Sequence, residues 1–113
     1  MELWVGTEAG LRRYSSDLKL RNIYLSQKDT QNITTNDYIT TIYEDSRSVF
    51  WIGTMGGLYR FDKKENKFEL IKRPNMDYGD PVFGICEDKQ GFLLQKIRMI
   101  QIWFQWEKTL LPI

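Results

Sequence analysis

Histidine is missing from all 113 residues, and there is one cysteine, Cys86. Without histidine the commonest general base and metal ligand is gone, so Ser-His-Asp and Cys-His catalysis cannot be assembled within one chain. A lone cysteine excludes an internal disulfide and a thiolate cage for zinc. No cofactor and no metal site are expected. Charge of one sign is not in excess either: 16 Lys and Arg are interspersed with 15 Asp and Glu, for a net charge of +1. Such a balance recommends neither nucleic acid nor an anionic membrane as a partner. No stretch approaches the ~20 apolar residues of a membrane span, so no membrane contact is expected. Met1-Glu2-Leu3-Trp4 lacks a basic segment followed by an apolar run. No secretory signal is therefore expected, and as written the chain is expected in the cytoplasm.

What is present is hydrophobic and repetitive. At 42% hydrophobic and 14% aromatic residues, the composition is too rich for a disordered chain. The length allows one domain. LWVGTEAGLRRY near the start returns as FWIGTMGGLYRF at residues 50–61. In that alignment Trp4 falls on Trp51, Gly6 on Gly53, Thr7 on Thr54, Gly10 on Gly57, Leu11 on Leu58 and Tyr14 on Phe61, a spacing of 47. A second register sets Ile39-Thr40-Thr41-Ile42-Tyr43-Glu44-Asp45 on Val82-Phe83-Gly84-Ile85-Cys86-Glu87-Asp88, a spacing of 43. The difference of four residues falls in a connecting loop, where length costs little.

Each repeat reads as short strands punctuated by turns. The β-branched and aromatic residues of Ile39–Glu44 suit a half-buried strand. Asp45-Ser46-Arg47-Ser48 reads as a turn in which the aspartate accepts hydrogen bonds from later backbone amides. The nearly unbroken apolar run of Phe50–Thr54 predicts burial on both faces. Gly56-Gly57 permits positive φ for the next reversal. Residues 58–61 form a third strand, 62–66 a charged turn, and 67–72 the outermost strand. Four short antiparallel strands in forty-odd residues describe a propeller blade.

These residues resemble the two-component regulator propeller repeats of the sensor region of Bacteroides-type hybrid two-component systems. In that family an Asn-x-Ile-x-x-Ile-x-Glu-Asp segment precedes a turn glycine, Leu-Trp-Ile-Gly-Thr and Gly-Gly-Leu. Ile39, Ile42, Glu44, Asp45 and the Trp51 to Leu58 motif match it; Ser48 replaces the turn glycine, and residues 74–80 depart from the pattern. The resemblance implies an all-β fold of four-stranded antiparallel β-propeller blades. It covers residues 1–93: a partial blade at 1–28, a full blade at 36–73 and the start of a third at 80–93. The chain is expected to be an incomplete propeller fragment. It opens on a second strand, and nothing resembling a membrane helix or kinase follows.

The third copy begins well with Glu87-Asp88-Lys89-Gln90-Gly91-Phe92-Leu93. Then Leu94 stands in place of tryptophan, and Gln95-Lys96-Ile97 replaces Ile-Gly-Thr. Residues 94–113 are accordingly read as a non-family tail, the product of a frameshift or of cloning. Its apolar residues fit one side of a helix (Ile97, Ile100, Trp103, Phe104) and equally an alternating strand (Ile100, Ile102, Phe104, Trp106), and both remain open.

The chemistry on offer is sparse. Adjacent strand residues point to opposite faces, so neither Glu44-Asp45 nor Glu87-Asp88 forms the facing carboxylate pair of a glycosidase by itself. Trp4 and Trp51 could stack on sugars but fit better as filling between blades. Cys86 falls on Tyr43 and reads as a small buried hydrophobe. Asn32-Ile33-Thr34 matches a glycosylation sequon but fits the loop motif better, and Lys63, Lys64 and Lys67 read as a solvated turn. Scaffold-held loops are where ligands bind, which makes Asn36, Asp37, Tyr38 and Asp80 the candidate ligand-binding residues.

The resemblance implies a non-catalytic, periplasmic sensor module for oligosaccharides, in a parent that would be a histidine kinase; no kinase domain is present here. The alternatives are a truncated structural fragment without ligand and a propeller carbohydrate-active enzyme. Open blade edges further predict head-to-tail homo-oligomers, in which copies complete one another's blades.

Overall fold

The computed structural model of the chain describes residues 2–25, 37–71, 81–96 and 103–105. Among these the chain is all β, in ten strands and three antiparallel sheets. The first sheet is β1 (Leu3–Thr7), β2 (Gly10–Tyr14) and β3 (Leu20–Tyr24), in that order. The second runs β4 (Ile39–Glu44), β5 (Phe50–Thr54), β6 (Gly57–Asp62) and β7 (Lys67–Leu70). The third places β9 (Leu93–Lys96) between β8 (Gly84–Glu87) and β10 (Trp103–Gln105). Each is a blade or part of one, and the two tryptophan segments lie in separate sheets. Their registers match: Trp4 pairs with Arg13, and Trp51 with Arg60.

The repeated Gly-Thr and Gly-Leu residues build one hairpin turn twice. Thr54 Oγ1 donates to the Gly57 carbonyl at 2.9 Å and accepts from Gly56 N at 3.0 Å; Thr7 Oγ1 makes the same pair of bonds to Gly10 O and Ala9 N at 2.8 and 3.1 Å. Gly57 closes its turn at φ 133° and Gly10 at φ 104°, a region that side chains disfavour. Ser48 takes φ 67° and its counterpart Gly91 takes φ 85°. The expected glycine position is thus left-handed in both blades, whichever residue fills it.

Side chains alternate across a strand, so each sheet offers two faces, and the blades stack through them. Between the first and second blades lie Leu11, Ile39, Phe50, Ile52, Tyr59 and Phe61, with Trp4, Tyr24 and Ile42 at their margin. Trp4 packs edge-on against Phe50 and Phe61, with centroids 5.2 and 5.7 Å apart. Between the second and third lie Trp51, Leu58, Ile71, Val82, Ile85 and Leu93. Since β5 feeds both cores, all five of its residues are buried. Trp51 itself is fully buried, as expected of a residue that fills the space between blades.

Position 94, where the family pattern stops, lies inside β9. Leu94 pairs with Cys86 in the register by which Trp51 pairs with Tyr43. Of the two conformations open to the tail, the segment Trp103–Gln105 adopts the strand. The remaining tail residues, and the sequon at Asn32, lie outside the described residues.

Candidate functional site

The sheets present two ends. At one are the repeated hairpin turns and the segments that lead into the inner strands: Met55 N donates to Tyr38 O at 3.0 Å, and Val82 N to Thr54 O at 2.9 Å. Asp37 and Tyr38, two of the four candidate ligand residues, are here. Asp37 is buried and Tyr38 is 41% exposed. The Tyr38 hydroxyl reaches back to Glu8 Oε1 on the preceding blade in a long bond of 3.4 Å. An exposed aromatic ring beside a carboxylate therefore spans two blades. Asn36 and Asp80 lie outside the described residues.

At the opposite end the carboxylates are engaged in structure. Asp45 Oδ1 accepts from the amides of Arg47 and Val49, both at 2.9 Å. Its Oδ2 accepts from Trp51 Nε1 at 2.8 Å and Arg47 Nη2 at 3.4 Å. The turn chemistry legible in the sequence is present, with the indole added. Glu87, from the third blade, accepts from Ser46 N at 2.7 Å, Ser46 Oγ at 2.8 Å and Tyr43 Oη at 3.2 Å. It thereby ties two blades together. Burial and the neighbouring Glu87 carboxylate push the Tyr43 phenol up from its ordinary value.

Asp45 and Glu87 thus meet backbone amides, hydroxyls, a guanidinium and an indole, and Glu44 accepts from Lys63 Nζ at 2.9 Å. Bonds to the Phe92 and Gln90 amides hold the Asp88 carboxyl below its usual range, which suits an acceptor and not a general acid. Burial raises the Cys86 thiol, the reverse of what a reactive thiolate needs.

A feature that the sequence did not reveal is a cleft of about 460 Å³ on the first sheet, at the end remote from Tyr38. It is lined by Glu2, Arg13, Ser15, Ser16, Arg21 and Asn22. Arg13 forms an ion pair with Glu2, and its guanidinium lies 5.5 Å from the Trp4 ring centroid. That hydrogen bond lowers Glu2 and raises Arg13 from their ordinary values. The cleft could not be read from the sequence because its lining comes from β2, β3, the turn between them and Glu2 ahead of β1.

With the stacked sheets, the twin hairpins and the Asp45 turn established, the chain can be set beside known proteins. Part of it matches the family model of the two component regulator propeller. The match covers residues 33–56, which include β4, β5 and the Asp45 turn between them. Solved structures with the same fold include the extracellular domain assigned to a hybrid two component system of B. thetaiotaomicron. It is 23% identical, with a TM-score of 0.60 over 83% of this chain and 11% of that one. The extracellular domain assigned to a one component system of the same organism is 24% identical, with a TM-score of 0.62 over 92% of this chain and 15% of the other. This chain thus spans only 11% and 15% of the length of these two structures. No curated protein matches the chain.

Proposed function

We propose that this chain is part of the ligand-sensing propeller of a two-component system, outside the cytoplasm, that binds an oligosaccharide without cleaving it. The observation that carries this reading is the Tyr38–Glu8 bridge across two blades, on the end of the propeller repeat where the segments leading into the inner strands emerge. An exposed aromatic ring stacks on a sugar face, and a carboxylate accepts from its hydroxyls. A ligand held by both residues would contact adjacent blades at once, and so could bias their relative position.

Asp45 and Glu87 are saturated with donors, which counts against acid-base cleavage and favours a binding role. Calorimetric titration with a panel of glycan oligosaccharides tests the reading. Binding heat is expected for at least one, weakened about tenfold in Tyr38→Ala, equivalent to about 1.4 kcal/mol. No heat across the panel would leave the chain a structural unit, and product release from any glycan would make it an enzyme.

A further inference from the structure

The first two blades carry a glycine at the third position of the tryptophan motif, and the structure gives the reason. A Cβ built on Gly6 would lie 2.4 Å from Ile39 Cγ2, on the inner strand of the next blade. On Gly53 it would lie 2.5 Å from Thr41 Cγ2 and 2.8 Å from Val82 Cγ1. Ile39 and Val82 are themselves equivalent in the repeat, so the glycine is the seat on which each following blade docks. In the third blade the residue at this position is Lys96. The assignment is structural as well as sequential, because Gly53 pairs with Thr41 and Lys96 pairs with Gly84. The glycine has crossed to the partner strand.

Alternation fixes the direction of Lys96. Leu93 and Gln95 are buried, and Leu93 packs into the core shared with the second blade; Leu94 and Lys96 therefore face the other way. That face also lacks the tryptophan, which Leu94 replaces.

The first blade is the reverse case. Leu3, Leu20 and Ile23 are 48%, 46% and 45% exposed, on the face turned from the second blade. In the second blade the equivalents of Leu3 and Ile23 are Phe50, which is buried, and Leu70, which packs at the edge of the same core. There the partner surface is formed by Trp4, Leu11 and Tyr24 of the preceding blade.

We propose that Lys96 closes the far face of the third blade to further stacking, so that the exposed face of the first blade is the chain's blade-accepting surface, and it fits a blade that presents tryptophan and glycine as Trp4 and Gly6 do. A second copy of this chain cannot supply that surface, because its first two such faces are already covered and its third carries Lys96. The head-to-tail ring anticipated from strand count is thereby blocked.

Sedimentation of the full chain at increasing concentration tests this. Wild type is expected to stay at the mass of one chain. Lys96→Gly combined with Gly84→Thr and Leu94→Trp, which restores the glycine pair and the tryptophan of the second blade, is expected to at least double that mass with rising concentration, and adding Leu3→Asp to reverse it. A folded triple variant that stays at one chain overturns the proposal, as does a wild type whose self-association is lost on Leu3→Asp. Acetylation of Lys96 in the wild type gives a readout independent of how the variants fold. A rate independent of protein concentration is expected, and protection that grows with concentration overturns the proposal.

Discussion

The second and third blades perform one turn with different partners. In the second, Asp45 accepts from two amides on one oxygen and from the Trp51 indole on the other. In the third, Asp88 accepts from the amides of Gln90 and Phe92, both at 2.9 Å. Leu94 cannot donate as Trp51 does, and the second oxygen instead takes the Gln105 amide at 2.9 Å. The backbone part of the motif is retained because it is local. The side-chain donor has been replaced from another strand, and the site has moved from a buried to an exposed setting. A carboxylate turn therefore survives the loss of its tryptophan when something else occupies the second oxygen.

The comparison can be broken at four equivalent positions and sharpened by pH. Trp51→Ala should have the largest effect, destabilising by about 4 kcal/mol, measured as the shift in urea midpoint. Leu94→Ala in the third blade should cost less, because Leu94 is only half-buried. Asp45→Ala strands a buried indole N–H and two amides and should cost about 3 kcal/mol, whereas Asp88→Ala, at the exposed turn, should move the midpoint less. Equal effects of the two aspartate changes would contradict the distinction between the turns. Gly53→Ala drives a methyl group against Thr41 and Val82 and should cost about 2 kcal/mol. Ser48→Gly should stabilise by about 0.5 kcal/mol by removing the left-handed strain that Gly91 already avoids.

Acid should produce the smallest change near neutrality. Asp88, Asp62, Asp17 and Glu2 all sit below their ordinary values in the folded chain. Their contribution is fully present above the usual carboxylate range and is lost as pH falls through the lowered folded values. Urea midpoints should be flat from neutrality down to about pH 5 and then decline. Asp88→Asn should flatten part of that decline, and an unchanged profile would show that its turn bonds carry no linkage.

Much of this arrangement was legible beforehand because it rests on local chemistry. The strands Ile39–Glu44 and Phe50–Thr54 occur with the expected bounds, since β-branched and aromatic runs and turn aspartates act over a few residues. Burial of β5 on both faces followed from its nearly unbroken apolar run. The Glu87 carboxylate was visible only as half of a pair. Its partners Tyr43 and Ser46 stand 44 and 41 residues earlier in the chain, and no local pattern announces a bond over that distance. Likewise Gln95-Lys96 is locally only a break in the repeat, and the close approach of Val82 to Gly53 is what makes that position matter.

The repeat, the strand alternation, the left-handed turn positions and the aspartate turns are written in the chain locally, because each is settled by dihedral preference and hydrogen bonds between near neighbours. Tertiary pairing and packing of the strands set the Gln105 amide on the Asp88 turn, the Glu87 carboxylate across two blades, and Lys96 at the register position of Gly53. Those outcomes depend on which faces stack and on how much room remains between them, and room is a property of two surfaces brought together.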